Sequence, residues 1–193
     1  MNRLFIIGTL LLVAACGGGR YDPPRNLDDA CAIAQERPGW MRDMERVERR
    51  WGVPVHAQMA VIHQESSFIG NARTPLRYSL GVIPMGRQSS AYGYSQAIDG
   101  TWDWYRDETG KRFARRDRFD DAVDFMGWYM NETRERNGVP LYDVRNQYLA
   151  YHQGHTGFAR GSYRNKAWLL RVADRVTDRA AMYRAQLQRC RFY

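Results

Sequence analysis

The sequence predicts an α+β domain that is mainly α-helical. Three observations carry that expectation. Apolar residues recur at spacings of three and four over 40–51, 117–137 and 164–189, the period of a helix turned towards a core. Glycine or proline punctuates the ends of such stretches, at Gly52, Pro54 and Gly138. Strand signals are weak and confined to about 78–83, so any sheet is short.

In chain order, the first segment is a targeting signal and not part of the fold. Arg3 supplies a positive start, residues 4–13 are apolar, and Ala14-Ala15-Cys16 is a small-residue processing site. About ten apolar residues are too few to cross a bilayer as a helix. Val13-Ala14-Ala15-Cys16 resembles a bacterial lipobox. That resemblance implies removal of residues 1–15, lipidation of Cys16 and a periplasmic protein held on a membrane by its N-terminal lipid. Gly17 in place of an aspartate resembles lipoproteins sorted to the outer membrane. Residues 16–27, with Gly17 to Gly19 and Pro23-Pro24, read as a flexible tether. Residues 28–193 read as one folded domain, long enough to bury a core.

Two of the three cysteines, Cys31 and Cys190, stand near the ends of that domain. In an oxidising compartment an isolated pair is expected to be bridged, and domain termini often lie close together. The formal net charge is +8, or +7 once Arg3 is removed. Such a charge suits nucleic acid, but export excludes that partner and leaves the anionic cell envelope. Most of the arginines are expected on solvated helix faces, paired with Asp and Glu. The expected state is a monomer.

Met41, Met44, Val47 and Trp51 make the apolar face of a helix over 40–51, which Gly52 stops. Pro54 opens the next helix, with Met59, Ile62 and His63 on neighbouring turns and Glu65 near its end. Residues 69–94 show no sustained period and are rich in Gly, Pro, Ser and Asn, so they read as a long functional loop or short strands. Asp99-Gly100-Thr101 reads as a cap before a short helix at 102–105. Over 117–137 acids lead and arginines close a helix terminated by Asn137-Gly138. A helix over 146–153 and a last one over 164–189 follow, separated by Gly154, Gly157 and Gly161. Trp168, Leu169, Val172, Val176, Ala180, Tyr183 and Leu187 form the expected inward stripe of the last helix.

Glu65 is the chemically informative residue. The run Val61-Ile62-His63-Gln64-Glu65-Ser66-Ser67-Phe68 places a carboxylate at the end of an apolar stretch. Burial there raises its pKa and suits it to donate a proton near neutral pH. No second carboxylate stands out: Asp99 reads as a cap, Asp103 and Asp107 as helix-surface charges. The four histidines fall in no HExxH pattern, so no metal is expected. Tyr78, Tyr92, Tyr94 and Tyr163 lie in irregular or glycine-rich stretches and are expected at a cleft, whereas Trp168 and Tyr183 are expected in the core.

Glu65-Ser66-x-Phe68 is followed by Gly93-Tyr94-Ser95-Gln96 and then Ala150-Tyr151-His152-Gln153-Gly154. In that order these motifs resemble the catalytic domain of the soluble-type lytic transglycosylases, over roughly residues 40–190. The resemblance implies a lysozyme-like fold and cleavage of the MurNAc–GlcNAc β-1,4 bond of peptidoglycan, with a 1,6-anhydro product and no cofactor. It implies that Glu65 is the catalytic acid and then base, with the substrate's own N-acetyl group replacing a second carboxylate. It also implies substrate-binding roles for Ser66, Gly93, Tyr94, Gln96, Tyr151 and His152. Gly93 would let backbone approach the sugar and Gln96 would hold it through its amide. Tyr94 and Ser95 stand where the family has apolar residues, and His152 where it has asparagine. Two other readings share these residues: a hydrolytic muramidase, and a peptidoglycan-binding scaffold lipoprotein without turnover.

Overall fold

The computed structural model describes residues 21–79 and 82–190. The signal segment, Cys16 and the start of the tether lie outside the described residues. The element order is α1 (Ala30–Glu36), α2 (Pro38–Trp51), α3 (Val55–Ser66), β1 (Leu76–Ser79), β2 (Ile83–Arg87), α4 (Asp99–Thr109), α5 (Phe119–Asn137), α6 (Val144–Gln153), α7 (His155–Ala159) and α8 (Ala167–Arg189). β1 and β2 pair antiparallel as a small hairpin. Among the described residues no helix is long and apolar enough to cross a membrane.

α3 is the central helix because it is apolar on almost every face. Val55, Ala57, Met59, Ala60, Val61 and Ile62 are all buried, and full burial of a side chain such as Ile62 contributes about 1.5–3 kcal/mol. Its one buried amide, Gln58, donates to the Met44 and Val53 carbonyls at 3.0 and 2.8 Å. α3 packs against both α8 and α2, and α5 packs on α2. A second, aromatic core lies between α4 and α5 and contains Trp102, Tyr105, Phe125, Trp128 and Tyr129.

The boundaries follow local chemistry. Pro38 opens α2 at a position where the missing N–H costs nothing, and Gly52 ends it at φ 78°. Gly138 ends α5 in the same left-handed conformation. α1 has no counterpart among the expected elements, because seven residues are too short for a period to show. Asp29 starts it by accepting from the Cys31 and Ala32 amides at 2.9 and 3.1 Å. α4 begins at Asp99, so Asp99 is its first residue and not its cap; its carboxylate pairs with Arg116 at 2.8 Å.

α1 is clasped to the end of α8. Cys31 and Cys190 are disulfide-bonded with Cα atoms 5.9 Å apart. Gln186 accepts from the Ala30 amide at 2.8 Å and donates to the Asp28 carbonyl at 2.9 Å. The Tyr183 hydroxyl donates to the Leu27 carbonyl. Along α8 the residues facing inward are Leu169, Ala173, Val176, Ala180, Tyr183 and Leu187. Trp168, expected among them, is 50 % exposed.

Candidate active site

Glu65 occupies the last turn of α3. The chain then turns through two non-glycine residues in the left-handed region, Ser67 at φ 50° and Phe68 at φ 62°. Such conformations cost about 1 kcal/mol or more each. Phe68 offsets that cost: it is fully buried and stacks on Trp40 with ring centroids 5.8 Å apart. The strained turn is therefore pinned by the core.

The Glu65 carboxyl is closely surrounded by protein, while one edge of the side chain opens into a cavity of about 560 Å³. Burial pushes its pKa up to about 7, and a hydrogen bond from the Tyr148 hydroxyl opposes that rise by favouring the anion. Near neutral pH the acid and the carboxylate are then comparably populated, as a group that must give and retake a proton requires.

Tyr148 and Tyr151 lie one turn apart on α6, so they present neighbouring hydroxyls to this carboxyl. Burial, and then the charge of Glu65, holds both phenols well above their ordinary pKa. Both remain proton donors. Tyr151 donates to the Ser95 carbonyl at 2.6 Å and so ties α6 to the loop over 91–97. Tyr129 of α5 packs edge-on against Tyr151 at 5.2 Å and stacks on His155 at 4.3 Å.

Thr74, Ser89, Gln96 and Ile98 line the loop side of the cavity, and Phe125, Tyr129, Tyr151, His152 and Gln153 line the helical side. The site is thus polar and aromatic, the mixture that suits sugar hydroxyls and faces. Glu65 is the one carboxylate among the described residues lining it. Asp99 and Asp103 border a different cleft. Asp124 is buried in a structural network, with Lys111 at 2.7 Å, the Tyr105 hydroxyl at 2.7 Å and the Trp51 indole N–H at 3.1 Å.

The structure brings Glu65, Gln96, Tyr151 and His152 together at the cavity and moves three expected contacts elsewhere. Ser66 is 7 % exposed and its hydroxyl donates back to the Ile62 carbonyl at 3.3 Å. Tyr94 is 2 % exposed and packs edge-on against Trp40 and Phe119, so it is core and not cleft. Gly93 serves a close approach of the protein to itself: at φ 81°, a Cβ there would sit 2.0 Å from the Arg116 carbonyl oxygen. Gln96 lines the cavity, but its amide nitrogen donates to the Ala72 and Gly93 carbonyls at 3.0 and 2.8 Å. Tyr92 lies against Arg73 and Arg116, and Tyr163 stacks on Phe158; the Tyr78 side chain lies outside those described. The motifs single out neither Tyr148, one turn before Tyr151, nor Phe125 and Tyr129 of α5, nor Thr74 and Ser89 of the loop; Gln153 lies inside the third motif.

No curated protein matches this sequence. The family model described as the transglycosylase SLT domain matches residues 4–190, nearly the whole chain. The mainly α-helical architecture with one small hairpin agrees with the lysozyme-like fold of such domains. The chain therefore belongs to the transglycosylase SLT domain family, whose activity is of the transglycosylase type and whose substrate is the glycan of peptidoglycan.

Proposed function

We propose that this chain is a lytic transglycosylase that cuts the MurNAc–GlcNAc β-1,4 bond and leaves a 1,6-anhydro-MurNAc end, with Glu65 as acid and then base. The observation that carries this reading is a lone carboxylate with a pKa of about 7 opening into a polar, aromatic cleft. Mechanisms that rely on two protein carboxylates need the second within about 5–9.5 Å, and the cavity wall supplies none among the described residues.

Protonated Glu65 gives its proton to the O4 leaving oxygen of GlcNAc as the bond to MurNAc C1 breaks. The carbonyl oxygen of the MurNAc N-acetyl group stabilises the developing positive charge at C1. The Tyr148 hydroxyl stabilises the carboxylate formed at that moment. Glu65 then takes the proton from the MurNAc O6 hydroxyl, and O6 bonds to C1. The proton count closes: Glu65 ends as it began, and no water is consumed. Tyr151 ties the loop over 91–97 to α6 on the wall of the cleft that Glu65 also lines.

The segment over 1–16 supports a lipid anchor at Cys16 and a periplasmic site of action, on the inner leaflet of the outer membrane. The direct test of the catalytic assignment is clearing of a peptidoglycan suspension by the mature chain and by Glu65→Gln. The near-isosteric variant is expected to fold and not to clear; retained clearing would remove Glu65 from its role.

A further inference from the structure

A segment that abuts the cleft wall carries charge that the proposed chemistry does not use. Residues 154–171 contain Arg160, Arg164, Lys166 and Arg171 and no aspartate or glutamate. Among the described residues none of these four cations forms an ion pair, whereas elsewhere on the same region Arg145 pairs with Asp174 at 2.6 Å and Arg179 with Asp28 at 2.7 Å. The segment is joined directly to the cavity wall. Lys166 Nζ lies 2.7 Å from Gln153 Oε1, and the Ser162 hydroxyl donates to the same oxygen at 2.8 Å. Gln153 and its neighbour His152 both line the cavity. The half-exposed Trp168 stands beyond them, its ring 5.2 Å from that of His152. A tryptophan left half in water at the start of α8 gives up burial that Leu169, the next residue, obtains in full.

Resting on the function proposed above, we infer that this edge is a second binding subsite. It takes the carboxylate-bearing stem peptides of the glycan strand, with a sugar of that strand resting on Trp168. The ligand must be continuous with whatever occupies the cavity, because His152 and Gln153 belong to both. A polymer with carboxylates displayed beside its sugars meets that requirement. Guanidinium groups suit carboxylates because their forked donors match both oxygens, and the indole face suits the apolar face of a pyranose. An anionic phospholipid surface would also attract such a patch, so the test must separate the two.

The test uses the mature chain over 16–193, unlipidated, in a Glu65→Gln background so that binding is read without turnover. Co-sedimentation is measured with insoluble peptidoglycan sacculi, which carry stem peptides, and with insoluble chitin, a stem-free β-1,4-linked GlcNAc glycan without carboxylates. Arg160→Gln/Arg164→Gln should weaken retention on stem-bearing sacculi by about threefold to tenfold at low salt, the effect expected of two exposed ion pairs, and should lose that difference at high salt. Its retention on stem-free glycan should match that of the parent. Trp168→Ala should weaken retention on both materials, and Trp168→Tyr should restore most of it. Equal retention of the double arginine variant and its parent on stem-bearing sacculi would overturn the inference, as would an equal loss on both materials. A loss seen only on phosphatidylglycerol-containing vesicles would assign the patch to a membrane and overturn it too. These readings are of binding alone, so an inactive wild type would refute the proposed function without touching them.

Discussion

Glu65 should destabilise the fold it serves, and the size of the effect should depend on pH. Its carboxyl titrates near 7 in the folded chain against an ordinary value of 4.5, because burial penalises the anion. Below pH 4.5 the group is protonated in folded and unfolded chains alike and contributes no difference. Between 4.5 and 7 the folded chain holds a proton that the unfolded chain has lost, so stability falls as pH rises. Above 7 the full penalty is present. At about 1.4 kcal/mol per unit the shift is worth about 3 kcal/mol, or about 2–3 kcal/mol once the edge open to the cavity is discounted. Glu65→Gln removes the titration while keeping shape and an acceptor for Tyr148. The variant should match wild type at pH 4.5 and exceed it by about 2–3 kcal/mol at pH 8, raising Tm there by about 5–10 °C. Urea unfolding of both proteins at the two pH values, with the disulfide intact, provides the comparison, since other titrating groups cancel in the difference. A pH-independent difference, or a variant less stable than wild type at pH 8, would refute the assignment of a buried, raised carboxyl.

Three further outcomes follow from the same structure. Tyr148→Phe deletes a hydrogen bond to the Glu65 anion, so the acid form gains and the alkaline limb of kcat/KM on peptidoglycan should move up by about one pH unit; an unmoved or lowered limb would contradict the contact. Opening the Cys31–Cys190 bridge, by reduction or by serine at both positions, should lower stability to urea by about 2–4 kcal/mol; unchanged stability would show that the hydrogen bonds of Gln186 and Tyr183 alone hold the termini. Gly93→Ala should destabilise by more than about 2 kcal/mol in thermal unfolding, because the methyl meets the Arg116 carbonyl and φ is left-handed; a neutral result would mean that the Arg116 backbone shifts freely.

Helices with full periods and chemical stops were legible in the sequence. Gly52 and Gly138 end α2 and α5 where expected, since a left-handed helix terminus favours glycine, whereas α3 ends in the same conformation at Ser67, which no such signal marks. Asp99 misled because an acid in the first turn of a helix looks the same in sequence as a cap. At the site, the position of Glu65 was legible because a carboxylate ending an apolar helix is a local pattern. The directions of its neighbours were not. Tyr94 follows a glycine at φ 81°, and that turn sends its ring into the core. Ser66 spends its hydroxyl on the preceding helical turn. Trp168 and Leu169 are adjacent and both apolar, so periodicity alone does not say which of them enters the core. The loop over 69–94 supplies Thr74 and Ser89 to the cavity wall, but the register shift of its hairpin between Leu76 and Tyr78 leaves no mark in the sequence period.

In the proposed reaction one carboxylate cuts the strand without water. Mass spectrometry of the soluble products released from purified peptidoglycan by the unlipidated mature chain, beside Glu65→Gln, tests it most directly. Muropeptides ending in 1,6-anhydro-MurNAc are expected from the wild type and none from the variant. Products ending in reducing MurNAc would show that water reaches C1, and would make the protein a hydrolytic muramidase.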